Sequence, residues 1–328
     1  MRYQDGFWPN TLALGYAFGG YACGLYWLAA PSWWLNGVGV ILTTHALVIA
    51  AYLIHECAHN TLFADHRYNA ALGEALSWLV GAGYGRYEDI RHKHFRHHID
   101  RADVVAFDFR PLLLRRPRWL QLAQRLEWAY VPAIDLAMHA LVIALPFRLP
   151  SRRDRRLRVL TVLLSRVAFF ALLGYLSLKA LLLYAVVYLI FLHAMRFFDV
   201  HQHTYEVWET LERSRHAADA RFDRRYEERN TYSNLLSTRF PWLNLLVLNF
   251  PYHNAHHTRP TMPWYRLPQL HRELYGDDRG RVLPFRRLLA SYHRHRVARV
   301  TNGDPPGMDV GDGGDFVGVV GVSFLTAH

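Results

Sequence analysis

The feature that most constrains the fold is a long uncharged stretch near the N-terminus. From Gly6 to His55, fifty residues, the sequence contains no Asp, Glu, Lys or Arg. One transmembrane helix needs about 20 apolar residues, so this stretch is long enough for two. We therefore predict two membrane spans, near residues 11–30 and 37–55, rather than an unusually apolar soluble core.

A second apolar region is also long enough for two membrane spans. Residues 157–198 are mostly apolar and are interrupted near residues 174–179. This pattern predicts two more spans, near residues 158–177 and 180–198, joined by a very short turn. Arg166 falls inside the third span, so we expect its side chain to reach an interface or to face the protein interior.

The topology depends on the segment 128–147, which is apolar but contains Asp135 and His139. It is followed by the densest basic run, RLPSRRDRRLR. If the four spans form two hairpins, all basic segments lie on one side, as the positive-inside rule favours. The segment 128–147 then lies on the surface or re-enters on the same side. In the alternative topology, this segment is a true span and residues 167–195 form one helix, which would put the basic run on the outer face.

The fold class predicted is therefore an all-α integral membrane protein with about four transmembrane helices in two hairpins and a cytosolic helical cap. We expect one membrane domain over residues 1–300 and a Gly- and Asp-rich, disordered tail over residues 301–328. The expected location is a bacterial inner membrane, crossed several times. The net charge of +11 suits anionic lipid, and no nucleic-acid motif accompanies it.

Histidines gather in three short boxes that each follow a predicted membrane segment. HECAH places His55 and His59 at positions i and i+4. The other two boxes repeat the spacing i, i+3, i+4: His94, His97 and His98 in HKHFRHH, and His253, His256 and His257 in HNAHH. On a helix these spacings put imidazoles about one turn apart on one face. The three boxes together predict a metal site.

The number of histidines indicates more than one metal. Zinc takes four ligands and octahedral iron takes six, so eight clustered histidines exceed what one ion needs. Imidazole suits iron, zinc and copper alike, so the ligand type does not choose the metal. Further candidates follow the fourth span in FDVHQHT, where His201 and His203 lie two residues apart and cannot share one helix face.

These boxes, in this order and between two apolar hairpins, resemble the integral-membrane fatty acid desaturase family. HECAHNTLF is similar to its first histidine box, HFRHH to its second and HNAHH to its third, and QHT resembles its additional histidine region. The resemblance runs from about Phe7 to His271. It implies a non-haem di-iron centre at the cytosolic membrane surface, with a ninth ligand from residues 201–203. The implied ligands are His55, His59, His94, His97, His98, His203, His253, His256 and His257.

His203 is favoured as the ninth ligand because it lies in the matching QHT. Asp199, one turn before it, is placed to contact a ligand, and His201 and His92 are weaker candidates. The resemblance implies two Fe ions and O2 as co-substrate. It also implies a fatty acyl substrate in membrane lipid and hydrogen abstraction from an unactivated carbon. Desaturation is the default outcome, and hydroxylation, acetylene formation or decarboxylation to a terminal alkene are alternatives in similar scaffolds.

The electrons must come from outside, because the sequence contains no C-x-x-C pair and no haem-binding domain. Its two cysteines, Cys23 and Cys57, lie in or beside predicted spans. We expect a ferredoxin, a rubredoxin or a cytochrome, with its reductase, as the donor. An acidic donor would suit the basic cytosolic face.

Two other classes of protein remain as alternatives. HECAH fits the H-E-x-x-H pattern of zinc metalloproteases, in which Glu56 would be the general base. That interpretation leaves six clustered histidines unexplained. A metal transporter would account for both membrane and ligands, but it predicts histidines near the middle of the spans rather than at their ends.

Overall fold

A computed structural model describes residues 1–205, 208–211, 221–301, 316–321 and 323–326. Its first seven α-helices are α1 Phe7–Ala29, α2 Trp33–Ala58, α3 His66–Val80, α4 Tyr87–Asp100, α5 Arg110–Leu114, α6 Pro117–Trp128 and α7 Ala133–Arg148. The α-helices that follow in the described residues are α8 Arg156–Leu176, α9 Leu178–Asp199, α10 Arg224–Arg229, α11 His253–Thr258, α12 Leu267–Tyr275 and α13 Phe285–Arg294. Two strands, β1 Asp103–Val105 and β2 Trp208–Thr210, pair in parallel.

The predicted all-α membrane fold is confirmed. The chain is 69% helical, and its strands are only three residues long. Among the described residues, three segments are individually long and apolar enough to cross a membrane, Trp33–Ala58, Pro150–Leu176 and Leu178–Asp199. The span predicted at residues 11–30 coincides with α1, whose tyrosines, tryptophans and glycines keep its mean hydropathy below theirs. The small parallel sheet was not predicted.

The chain forms two compact units, and the first comprises residues 1–88 and 139–194. Its α1 and α2 form a tight hairpin. The Asn36 side chain donates hydrogen bonds to the carbonyls of Trp27, Leu28 and Ala30 at the C-terminal end of α1. A Cβ on Gly24 would lie 2.2 Å from Thr43 Oγ1, so the two helices approach closely only because that residue is glycine.

The second hairpin of this unit consists of α8 and the part of α9 before residue 195. Ser177 alone separates the two helices, and its hydroxyl accepts a hydrogen bond from the Ala180 N–H at 3.1 Å. Lys179 donates to the Ala30 carbonyl at 2.7 Å, so the turns of the two hairpins meet at the same end of the unit.

The segment predicted to lie on the surface or to re-enter is strongly bent. Helices α6 and α7 meet at 118° across a short break, and together they are apolar enough for one span. A broken span and a re-entrant segment would both show this bend. The two-hairpin topology therefore stays a prediction.

The second unit comprises residues 89–138 and 195–328 and contains a buried charge network. Arg196 of α9 donates to both carboxylates that face it, Glu127 of α6 at 2.6 Å and Asp135 of α7 at 2.7 Å. All three residues are buried. The network fastens the bent α6–α7 pair to the end of α9, and it gives Asp135 a structural partner.

Residues 316–321 and 323–326 also belong to the second unit, and they are packed rather than disordered. Phe316, Val319, Val320, Phe324 and Leu325 are all buried. The backbone carbonyls of Ser323 and Thr326 accept hydrogen bonds from the buried Lys93 ammonium. The expectation of a disordered tail does not hold for these residues, because their composition is apolar rather than Gly- and Asp-rich. Residues 302–315 lie outside the described residues.

Candidate metal centre

The first histidine box lies at the end of α2, in the first unit. His55 is in the last turn, and His59 follows the helix as its C-cap residue. Their ring centroids are 4.8 Å apart, as the i, i+4 spacing predicts. Both rings are buried. A membrane helix thus delivers two adjacent imidazoles at its end.

The second and third boxes lie in the second unit, on α4 and α11. The turn before α11 is strained, because Leu248 and Asn249 both have left-handed backbones, with φ of 48° and 54°. The side-chain amide of Asn249 donates to the Trp264 carbonyl at 3.2 Å, and the backbone N–H of Asn249 donates to the Asn244 carbonyl at 2.8 Å. Buried hydrogen bonds therefore hold the chain where it delivers the third box.

Four histidines of the second unit form one group, which we call cluster A: His97, His203, His253 and His257. One ring nitrogen of each lies within 4.8 Å of the others. The Nε2 atoms of His97 and His203 are 3.0 Å apart, and those of His203 and His253 are 2.7 Å apart. An imidazole nitrogen lies about 2.1 Å from a bound divalent ion, so two cis ligands lie about 3 Å apart. Cluster A has that spacing.

Three further histidines of the same unit form cluster B: His94, His98 and His256. The Nε2 atom of His98 lies 3.0 Å from that of His94 and 3.2 Å from that of His256. The spacing again matches that of neighbouring metal ligands.

The doubled histidines explain why there are two clusters. Adjacent residues on an α-helix point about 100° apart. His97 therefore joins cluster A while His98 joins cluster B, and His257 joins cluster A while His256 joins cluster B. Each H-x-x-H-H box thus supplies both clusters of imidazoles.

In cluster A, the Nδ1 atoms of three of the four histidines have hydrogen-bond partners. His97 Nδ1 donates to the Ala102 carbonyl at 2.9 Å, and His257 Nδ1 lies 2.8 Å from Glu227 Oε1. His203 Nδ1 lies 3.3 Å from the Thr231 hydroxyl. A hydrogen bond at Nδ1 fixes the tautomer in which Nε2 carries the lone pair. His97, His203 and His257 are therefore oriented as metal ligands, with Nε2 turned inward.

Burial also favours the neutral form of these rings. Desolvation, followed by the neighbouring imidazoles, holds the pKa of His203 and His253 well below its usual value. A neutral imidazole is the form that binds a metal. The cluster thus presents lone pairs rather than protons at neutral pH.

A family comparison agrees with this geometry. A sequence model described as fatty acid desaturase matches residues 31–288. The chain belongs to the fatty acid desaturase family. No curated protein and no solved structure matches the chain. Membership makes the protein a fatty acyl oxidoreductase with a histidine-rich metal site, working in a lipid environment.

The remaining sequence candidates lie elsewhere. His201 is buried against Phe197 and Phe316, and its Nδ1 donates to the Phe197 carbonyl at 2.9 Å. His92 is exposed. Among the described residues, neither belongs to a group of close metal-binding side chains. Of the pair in HQH, only His203 lies in cluster A.

Asp199 does not contact His203 as a hydrogen-bond partner in this structure. Instead it lines a cavity of about 40 Å³ beside the clusters, together with Lys93, Asp103, His94, His97, His203 and His253. Burial lowers the pKa of Lys93 to about 7 and raises that of Asp103 to about 8. This volume admits only a few molecules as small as water.

Glu227 of α10 and Thr231 are contacts that the sequence did not reveal. Glu227 holds Nδ1 of His257 and also accepts from Arg101 Nε at 3.3 Å. It lies in RRYEERN, which contains no histidine and no recognisable motif. Its role depends on contacts across the fold, so no local pattern could have identified it.

We expect Glu227→Gln to weaken metal binding about tenfold, because the carboxylate that orients His257 and raises its basicity loses its charge. Metal retained against a chelator series measures this. Glu228→Gln is the matched control, since Glu228 is the next residue but is exposed and accepts a hydrogen bond from Arg224 on the same helix. Equal retention by the two variants would contradict the role assigned to Glu227.

Proposed function

We propose that this protein is an O2-dependent di-iron oxidoreductase that introduces a double bond into a fatty acyl chain. The observation that carries the proposal is the pair of imidazole clusters, in a chain of the desaturase family. The proposed iron ligands are His55, His59, His94, His97, His98, His203, His253, His256 and His257. Electrons come from a separate ferredoxin, rubredoxin or cytochrome with its reductase. The proposed setting is a bacterial inner membrane, with the histidine boxes on the cytosolic face.

The donor set fits iron. Imidazole is a good ligand for first-row divalent metals, and two separate clusters suit two ions. Both clusters are built from Nε2 atoms at ligand spacing, and in cluster A the Nδ1 atoms of His97, His203 and His257 are held from outside. Among the described residues, Glu227 is the only carboxylate in a group of close side chains that could bind a metal. The site is therefore richer in imidazole than the Glu-rich di-iron sites of helical bundles.

When bound, the two irons would supply the O2 activation needed to cleave an unactivated C–H bond. The overall reaction takes two hydrogens from the acyl chain, with two electrons and two protons from outside, and reduces O2 to two waters. The protein's own residues hold the ligands in one tautomer, keep the rings neutral and exclude bulk water from the centre. The 40 Å³ cavity beside cluster A is large enough for O2 and too small for an acyl chain.

The contacts of Glu56 do not favour a zinc protease. One Glu56 oxygen accepts from the Thr61 hydroxyl at 2.5 Å, and the other lies 3.5 Å from His55 Nδ1. These contacts suit a residue that orients His55 better than a general base. A zinc protease would also leave the two further imidazole clusters unexplained. A metal transporter is disfavoured because the clusters of the second unit lie outside the long apolar helices.

The test combines metal analysis with product analysis. We expect two irons per chain in the purified protein, and new unsaturated acyl chains in the lipids of cells that express it. Cells that express the His256→Ala variant are the control, because that change removes a proposed ligand. One tightly bound zinc would favour the protease. Hydroxylated chains or terminal alkenes would retain the di-iron centre and replace the proposed reaction.

A further inference from the structure

The last part of the second unit is held by polar contacts as well as by apolar burial. The Ser291 hydroxyl donates to the Phe316 carbonyl, and Arg299 Nε donates to the Val317 carbonyl at 2.7 Å. Both donors are buried. A buried donor that lost its acceptor would cost free energy, so these contacts fix the path of the chain. We call this part of the chain the C-terminal segment, residues 316–321 and 323–326.

Two glycines of the C-terminal segment allow a close approach to the rest of the second unit. Gly318 has a φ of 76°, and a Cβ there would lie 2.4 Å from the Val200 carbonyl oxygen. Gly321 has a φ of 82°, and its Cβ would lie 2.9 Å from the Phe109 ring. A left-handed backbone at so small a separation favours glycine strongly. The segment therefore takes one defined path, past the residue that directly follows α9.

The end of the C-terminal segment reaches the metal centre. The buried Lys93 ammonium donates to the Ser323 carbonyl and, at 3.0 Å, to the Thr326 carbonyl. These two bonds flank Phe324, whose ring centroid lies 6.0 Å from that of His94 in cluster B. Lys93 directly precedes His94 on α4. The neighbour of a proposed ligand thus fixes the turn that presents the Phe324 ring.

Phe324 forms part of the wall of the 40 Å³ cavity beside the metal clusters. His94, His97 and His203 lie in the same wall. Phe324 is itself 7% exposed. Because this one residue touches both the cavity and solvent, its ring can separate the two. A phenyl ring gives no donor to either cluster, so its effect on the centre is steric.

We propose that Phe324 limits entry to the metal centre to molecules about the size of O2 or water, and that the C-terminal segment holds its ring in place. Exclusion of bulk water strengthens electrostatic interactions in a site and prevents side reactions. A smaller side chain at position 324 would leave a gap, since a core relaxes only partly around a deleted ring. The inference rests on the metal centre of the proposed function and adds a residue outside the histidine boxes.

Substituted-cysteine labelling tests this role in the purified full-length protein in lipid nanodiscs. Val104→Cys places a thiol in the cavity wall, because Val104 is buried and lines the cavity. N-ethylmaleimide is larger than the few waters that the cavity admits, so we expect slow labelling of this thiol, followed by mass spectrometry. Adding Phe324→Ala should accelerate the labelling at least tenfold. Phe324→Leu refills most of the gap and should keep the rate within threefold of the original.

Leu325→Ala is the matched control for a merely structural effect. Leu325 is the next residue and is also buried, but it is not among the described residues that line the cavity. Its loss should lower the thermal unfolding temperature about as much as Phe324→Ala does, while the labelling rate of the Val104→Cys thiol stays within twofold. A chain that ends before Phe316 should label at least as fast as the Phe324→Ala variant.

The labelling needs no bound metal, so its outcome is separate from that of the metal proposal. Accelerated labelling in a chain that contains no iron would retain the steric role of Phe324 and overturn the di-iron proposal. Equal acceleration by Leu325→Ala, an unchanged rate in Phe324→Ala, or slow labelling of the truncated chain would overturn the role of Phe324.

Discussion

His203→Ala is expected to lose iron and all turnover. His203 lies between two other members of cluster A, with its Nε2 3.0 Å from that of His97 and 2.7 Å from that of His253. Its removal leaves cluster A with three imidazole donors in place of four. We expect bound iron to fall from two per chain to one or none, as measured by elemental analysis, and product formation to fall to background.

His201→Ala is the matched control, because His201 is two residues away and equally buried. Its ring packs on Phe316 and its Nδ1 bonds to the Phe197 carbonyl, so its loss should lower thermal stability but leave both irons in place. Thermal unfolding measured beside the iron content separates these two effects. If His201→Ala lost iron while His203→Ala retained it, the assignment of the ninth ligand would be reversed.

The sequence alone predicted those elements whose formation depends on neighbouring residues in the chain. The long apolar runs in which spans were predicted coincide with the helices α1, α2, α8 and α9, and the segments that contain α2, α8 and α9 are long and apolar enough to cross a membrane. The helical spacing of the histidine boxes predicted that imidazoles would lie one turn apart. It did not reveal that each doubled histidine divides between two clusters, since that depends on what each helix face meets.

Residues that act through contacts distant in sequence could not be predicted. Glu227 meets His257 thirty residues later, and the Ala102 carbonyl that holds His97 follows from the turn after α4. The tail was misjudged for another reason. The Gly- and Asp-rich composition of its first part was extended to its apolar end, where Phe324 packs against His94 with ring centroids 6.0 Å apart.

The second large effect is expected at the buried charge network of α6, α7 and α9. Arg196→Met removes the guanidinium that pairs with both Glu127 and Asp135 and leaves the two buried carboxylates without that ion pair. Removing one partner of a buried ion pair costs about 3–5 kcal/mol, because the charge left behind has neither solvent nor counter-ion. We expect the free energy of unfolding, measured by denaturant titration in bicelles, to fall by about that amount.

A triple variant tests whether this loss comes from the orphaned carboxylates. Combining Arg196→Met with Glu127→Gln and Asp135→Asn removes all three charges, so most of the lost stability should return. Arg67→Met is the surface control, because the Arg67 pair with Asp65 is largely exposed and should contribute no measurable stability. If the triple variant were no more stable than Arg196→Met, the packing of the Arg196 side chain would account for the loss. Recovery in the triple variant would mean that the network's charges specify how α6, α7 and α9 meet and add little net stability.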